Sequence, residues 1–547
     1  MDSGPGPVAV GPGAEAADAV VIGAGHNGLV AANLLADAGW SVIVLEAADA
    51  PGGAVRTAEL TAPGFHNDLC SAFYPLAAAS PVLADLALDR HGLRWRHAPA
   101  VLGHAFPDGR HVLISRDRER TAGSVASFAA TDAARWLAEC ERWQAIGSVV
   151  LAAILRPFPP VRAAGRLGRR LGTAELLRLA RFITLPVRRL GQELFAGEGA
   201  RILLAGNALH TDLGPDQAGS GIFGWLLTMV GQDLGFPVPE GGAGRITEAL
   251  VRRLRAAGGR VECGWPVSSV LVASGRAVGV RGASGELVRA RRAVLADVPA
   301  PVLYRDLVAS GHLPARFRSD VDHFEWDDAT VKVDWALSGP VPWSVAELAG
   351  AGTVHLGADL DGLAGISTDL ACGRVPSSPF LLLGQMTTAD PSRSPSGTEA
   401  VWAYTHVPRG LRWDTDRLRR QADLIERTIE RHAPGFTSRI LARAVAGPAE
   451  LERRNPSLVD GAINAGTAAI HQQLIFRPVP GTGRADTPVE RLFLASASAH
   501  PGGGVHGAPG ANAARAALAS AGPAGWPYRA AIRAINRRLY GSLDEAQ

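Results

Sequence analysis

The sequence predicts an α/β fold in which a domain of β-α-β style is interrupted by long, mixed α+β insertions. Three observations carry that prediction. Residues 18–46 read as strand, tight turn, helix and strand, which demands a parallel sheet with helical covers. The same style returns at 241–305, where a helix with a glycine stop precedes three short β-like runs, and again at 491–520. Between these blocks the chain changes character, helix-rich from about 100 to 230 and mixed from 306 to 480. A chain of 547 residues exceeds what one hydrophobic core serves, so two interleaved domains are expected.

Taken in order, residues 1–17 are Pro/Gly-rich, with no basic start and no apolar run. They are expected to be a disordered leader rather than a signal peptide. DAVVIG is a short buried strand, Asn27 to Ala38 a helix stopped at Gly39, and SVIVLE the second strand. Segments 18–100, 232–305 and 485–522 are assigned to the first domain, and 101–231 and 306–484 to the second. TVKVDWAL, FLLLGQM and AVWAYTHV are strand-like, and 415–433 is an amphipathic helix. Residues 523–547 form a basic amphipathic helix and tail, either packed on the chain's own surface or touching a membrane peripherally.

Composition narrows the function. A net charge of +3 gives no ground for a nucleic-acid partner. The four cysteines are scattered without a C-x-x-C, which argues against a disulfide framework and a redox dithiol, and for a reducing cytoplasm. No uncharged apolar run reaches about 18 residues, so no transmembrane helix is expected. H-E-x-x-H and G-x-S-x-G are both absent, which points away from a metal site and from serine hydrolysis. The oligomeric state is not legible.

The strongest motif is Gly23-Ala24-Gly25-His26-Asn27-Gly28. It follows a strand and opens a helix, the context a Rossmann-type dinucleotide site requires. Gly23 permits the sharp turn, Gly25 the approach to a pyrophosphate, and Gly28 close helix–sheet packing. His26 and Asn27 sit at the helix N-terminus, where free N–H groups attract phosphate. Glu46, with Ala47 beside it, ends the second strand and is placed to bind the adenosine ribose, which disfavours a 2′-phosphate.

Pro51-Gly52-Gly53-Ala54-Val55-Arg56-Thr57 follows at once. A second glycine pair, Gly52 and Gly53, keeps backbone near the pyrophosphate, and Arg56 adds charge. This stretch resembles the R-x-G-G-R-x-x-[ST] signature of the phytoene desaturase and flavin amine oxidase superfamily. Two departures stand out: Ala48 or Asp49 where the first Arg is usual, and Ala54 in place of the second. PEGGAGRITEAL, TVKVDWAL and LFLASASAHPGGGVHGAPGANAARAAL resemble further blocks of the phytoene-dehydrogenase-like subgroup, the one that includes pyridine nucleotide-disulfide oxidoreductase domain-containing protein 2. The resemblance spans 18–520. It implies a discontinuous, GR2-like FAD-binding domain with an inserted substrate domain. It implies FAD as cofactor, Val267 contacting adenine through its backbone, and Gly503, Gly504 and Val505 under the flavin ring.

For catalysis the residue singled out is Lys332, the sole lysine of the chain, inside an apolar strand where a charge is costly. The resemblance suggests that it holds a water at the flavin N5. The plainer alternative is an ion pair with Asp334 or a snorkelling side chain. Asp68, Cys70, Ser71 and Tyr74 are weaker candidates for the flavin's re face, and His500 and His506 for titration near neutral pH. The expected activity is FAD-dependent desaturation, dehydrogenation or isomerisation of an apolar small molecule, with oxygen, a quinone or another electron acceptor. The alternatives are an amine or amino-acid oxidase, and a non-catalytic flavoprotein acting as an interaction partner.

Overall fold

The computed structural model describes residues 15–70, 72–481 and 483–542. Most of the expected leader, the last residues of the tail, and Ser71 lie outside the described residues. The chain begins with β1 (Glu15–Ile22), α1 (His26–Asp37) and β2 (Val42–Leu45). It crosses to β3 (Ala100–Ala105) and β4 (His111–Ile114), then to the principal helices α2 (Asp132–Ile154), α3 (Glu198–Ala208) and α4 (Ser220–Leu234). Helix α5 (Gly244–Ala256) leads back through β5 (Arg260–Glu262), β6 (Val267–Ala273), β7 (Arg276–Gly282) and β8 (Leu287–Ala296). A second excursion supplies β9 (Ala329–Leu337), β10 (Ala351–Leu356), β11 (Leu381–Gln385), β12 (Glu399–Val407), α6 (Thr415–His432) and β13 (Ile440–Ala446). Strand β14 (Leu492–Leu494), α7 (Ala508–Ala521) and α8 (Gly525–Tyr540) complete the chain.

The first sheet runs β6-β7-β8-β1-β2-β5, with β14 added beside β8. Strands β5, β2, β1, β8 and β14 are parallel, and β6–β7–β8 is an antiparallel meander. Both faces are covered, which explains the unbroken apolar run of β1. Ala19 and Val21 face a core shared with α1, α5 and α7, while Val20 and Ile22 face the opposite core. The second sheet runs β13-β9-β12-β11-β10-β3-β4 and is antiparallel except at β10–β3. Val331, Val333, Trp335 and Leu337 of β9 pack with Ile425 and Ile429 of α6 on one face. The other residues of β9, Lys332 among them, therefore look the other way.

Three boundaries differ from the sequence reading. Strand β1 starts at Glu15 rather than after residue 17, because Glu15–Ala17 continue the pairing with Val288–Ala290 of β8. Residues 100–114 are strands of the second sheet, not helix. Residues 306–324, expected in the second domain, pack on the first sheet instead: Leu307, Phe317, Val321 and Phe324 belong to the core of Val20 and Val294. Their apolar side chains cover the face of β1 and β8 that would otherwise meet water. Helix α8 is docked on its own chain: Tyr528 Oη donates to Asp486 Oδ2 at 2.8 Å, and Tyr540 Oη to the Pro480 carbonyl at 2.9 Å. Among the described residues no helix is long and apolar enough to cross a membrane.

Helices α1 and α7 cross at near backbone contact. A Cβ on Gly510 would stand 1.9 Å from the Asn27 carbonyl oxygen. Gly510→Ala is therefore expected to cost about 1–3 kcal/mol through forced separation of the two helices. The check is a denaturant melt of the variant against the parent protein, with unchanged stability counting against the contact.

Candidate functional site

The glycine motif closes over one side chain. Gly23 turns at φ +90°, and a Cβ there would meet the Asp297 carbonyl oxygen at 2.8 Å. A Cβ on Gly25 would lie 2.6 Å from Asp297 Oδ2, and one on Gly28 only 2.3 Å from the Gly23 carbonyl oxygen. The Gly28 N–H donates to Asp297 Oδ2 at 2.8 Å. Asp297 follows β8, so the strand tip and the turn are locked together. No local spacing marks Asp297, because its partner lies 269 residues away.

The second glycine pair lies directly on the first loop. Gly52 N–H donates to the Ala24 carbonyl at 2.8 Å, and a Cβ on Gly53 would stand 3.5 Å from the Gly25 Cα. Glu46 Oε2 accepts the Ala24 N–H at 2.7 Å and Oε1 the Ala48 N–H at 2.9 Å. Each oxygen keeps a lone pair for a ribose hydroxyl. Ala47 beside it is exposed. Helix α1 has no side-chain cap, which leaves N–H groups at its start for an anion. His26 Nε2 and Asn27 Oδ1 are buried without partners at the same turn. Bare backbone, an uncapped helix start and a carboxylate at the strand end are the features a dinucleotide such as FAD uses. Arg56 packs its stem on Gly52 and makes no ion pair among the described residues. Val267 opens the edge strand β6 and is half-buried.

A cavity of about 290 Å³ extends from this cradle to the second sheet. Its cradle side is His26, Gly503, Gly504 and Val505. Its far side carries Thr330 and Lys332 of β9, Trp402 and Tyr404 of β12, and Thr353 of β10, with Leu226 and Leu227 of α4 and Ile154 of α2. Ala54 also lines it, so the arginine usual at that position is replaced by an apolar wall. Cys70 and Tyr74 line it as well. Asp68 does not. It is fully buried against Arg393, whose Nη2 stands 2.9 Å from Oδ2, while Oδ1 accepts Thr57 Oγ1–H and the Ala243 N–H. Its role is to fasten segments behind the site.

Lys332 Nζ donates to the Asp68 carbonyl at 3.0 Å and to Asp334 Oδ1 at 2.5 Å, so the ion pair with Asp334 exists, and the side chain still borders the cavity. Burial pushes the Cys70 thiol up to about 11 and makes it a poor nucleophile. Burial lowers His26 and His500 to about 4 and His506 to about 3. These histidines are neutral at pH 7, which corrects the expectation that His500 and His506 titrate near neutrality. Asn207, His210, Thr353, Trp402, Tyr404 and Asn464 also line the cavity and were missed. They come from four separate stretches, and no local spacing marks them.

Two predictions follow from the cradle. Glu46→Ala removes the acceptor of two loop N–H groups, and, with Glu46 expected at the ribose, FAD affinity should fall by about 1–3 kcal/mol; apoprotein titration with FAD measures it. Asp297 keeps some surface open, yet burial still raises its carboxyl to about 7. Between the ordinary carboxyl value near ~4 and that point, the folded protein holds a proton the unfolded chain has lost, so this group makes stability fall as pH rises. Asp297→Asn should therefore gain on the parent protein between about pH 5 and about pH 8, and a gap in melting temperature that stays flat would count against the assignment.

The family described as "Flavin containing amine oxidoreductase" matches residues 28–518. Pyridine nucleotide-disulfide oxidoreductase domain-containing protein 2 of Rattus norvegicus is 30% identical, over 91% of this chain and 92% of its own. A phytoene desaturase (neurosporene-forming) of Cereibacter sphaeroides is 25% identical, over 94% and 96%. Among solved structures, an oxidoreductase from Methanosarcina mazei superposes with a TM-score of 0.60 at 17% identity, covering 91% of this chain and 99% of its own.

Proposed function

Given that the chain belongs to the family of flavin containing amine oxidoreductases and is an FAD-dependent oxidoreductase, we propose that its substrate is an apolar small molecule, dehydrogenated in the cavity beside the flavin. Bound FAD supplies a hydride acceptor at N5, which serves desaturation and also, without net oxidation, cis–trans isomerisation. Reoxidation falls to oxygen, a quinone or another acceptor.

The observation that carries this reading is the lining. Leucine, isoleucine, phenylalanine and tryptophan side chains of α2, α4 and β12 enclose the space next to the glycine cradle, and among the described residues no carboxylate lines it. A protonated amine would find no counter-charge there, which weighs against an amine oxidase despite the family's description. A relative named for desaturating phytoene points the same way. A cavity this continuous with the cofactor cradle has no purpose in a flavoprotein that only binds partners.

Lys332 is the polar exception near the cradle. Two of its three N–H groups are used by Asp68 and Asp334, which fix the ammonium against β9. The third is left to hold a water or a substrate atom. Trp402, with Lys332 Nζ 6.0 Å from its ring centroid, and Tyr404 stacked at 5.9 Å form a flat wall that orients an unsaturated chain. Ala54, Phe73 and Leu451 add apolar lining to the same cavity.

The test uses Lys332→Met together with the double variant Lys332→Met/Asp334→Asn. The single variant strands a buried carboxylate and should lose about 3–5 kcal/mol of stability, much of which the double variant restores. Both should retain FAD while stopped-flow flavin reduction or reoxidation slows by about tenfold or more. Unchanged rates of both half-reactions in the double variant would reduce Lys332 to a structural ion pair.

A further inference from the structure

Beside α3 and β10, at or next to the cavity, are four polar groups that the reaction above does not use. His210, which follows α3, places its Nε2 2.8 Å from His355 Nε2 on β10. Asn207 lies one helical turn before His210 and donates its amide N–H to the Leu203 carbonyl at 3.0 Å and to Thr228 Oγ1 at 2.9 Å. A carbonyl only accepts, so this contact fixes the amide orientation and leaves Asn207 Oδ1 as the free atom. Asn207 Oδ1 and Thr353 Oγ1 are buried without partners, in side chains only 1% exposed, and Asn207, His210 and Thr353 all line the cavity.

The protons on the histidine pair follow from packing. His355 Nδ1 is buried without a partner, facing Gly206, where an added Cβ would come within 2.5 Å. A proton on that nitrogen would be an orphaned donor against a Cα, whereas a bare lone pair is tolerated there. His355 therefore carries its proton on Nε2 and donates to His210 Nε2. The His210 proton is then on Nδ1, which has no partner among the described residues. Burial holds both rings far below their ordinary values, His210 at about 3, so neither brings a charge. Among the described residues no group of three or more His, Cys, Asp or Glu is placed to hold a metal ion, which sets aside a metal reading of the histidines.

We infer that this part of the cavity is a head-group subsite for a neutral hydroxyl on an otherwise apolar substrate. The hydroxyl oxygen accepts from His210 Nδ1–H, and its proton goes to Asn207 Oδ1, with Thr353 Oγ1 completing the set. A ketone satisfies the donor and leaves Asn207 unpaired. A carboxylate or ammonium meets no opposite charge. A pure hydrocarbon leaves every one of these atoms unpaired, and sites built to bond a hydroxyl reject analogues without one. The inference rests on the cavity's being the apolar substrate site proposed above.

The experiment is equilibrium dialysis of the FAD-loaded protein against octane, octan-1-ol, octan-2-one, octanoate and octylamine, read in parallel through flavin absorbance. Octan-1-ol should bind about tenfold tighter than octane, with the ketone between them. Thr353→Val keeps the side-chain shape, and His210→Phe keeps a ring. Each should cut the alcohol's advantage to about twofold or less while octane binding holds, with FAD content as the folding control. Equal binding of octane and octan-1-ol overturns the subsite and leaves the apolar reading standing, as does an alcohol preference that survives both variants. Tightest binding of octanoate or octylamine overturns the neutral-hydroxyl assignment. If no member of the series binds, the subsite falls together with the apolar reading.

Discussion

Four stretches of backbone meet at the start of α1 at separations no side chain could enter. Gly23, Gly25 and Gly28 close on Asp297, Gly53 lies against Gly25, and Gly510 of α7 presses on Asn27. Close approach requires glycine at Gly25, Gly28 and Gly510, and positive φ requires it at Gly23 and Gly53. Because the four stretches come from residues 23–28, 52–53, 297 and 510, the constraint reaches across almost the whole chain. It draws the tip of β8, the turn after β1 and the last long-range helix to one point, and it leaves N–H groups facing outward there. The proposed cofactor cradle lies at this contact.

Buried charge fastens the second sheet to that point. Asp68 takes Arg393 on one side and the Ala243 N–H at the start of α5 on another, and its carbonyl accepts from Lys332. Asp327 accepts the N–H groups of Ile463, Asn464 and Gly466, and Arg477 donates to the Thr467 and Ala497 carbonyls beside them. A buried ion contributes little net stability, but removing one partner is costly because the other is left uncompensated. These groups thus act as register pins. They hold β9 and the 463–467 loop, and with them Lys332 and Asn464, against the glycine loop at Gly503.

The cavity between the two sheets combines apolar walls, neutral polar atoms and one paired cation, Lys332. Burial pushes thiol and imidazole groups toward their uncharged forms, and no acid lines the space. On the proposed function, such a space suits hydride chemistry on an uncharged molecule, since the one charged lining group among the described residues, Lys332, is already paired with Asp334. The period of two along β9 and β10 produces the arrangement: apolar residues go to the α6 face, and Thr330, Lys332, Thr353 and His355 go to the other.

The sequence by itself determined what is local. The strand–turn–helix at 18–37, the glycine motif, the acid at Glu46 and the amphipathic helix at 415–432 were all legible, because period and punctuation are written in adjacent residues. The family resemblance, and with it FAD, was legible from the same blocks. Only the tertiary structure decided which residues face one another across the chain. Asp297 became the floor of the cradle, Asp68 a buried anchor instead of a flavin neighbour, and residues 306–324 a cover of the first sheet. Asn207, His210 and Thr353 came to line one cavity, and His210 meets His355, 145 residues away. The physical reason is that a pairing between distant segments is set by sheet order and burial, and neither leaves a local periodic trace.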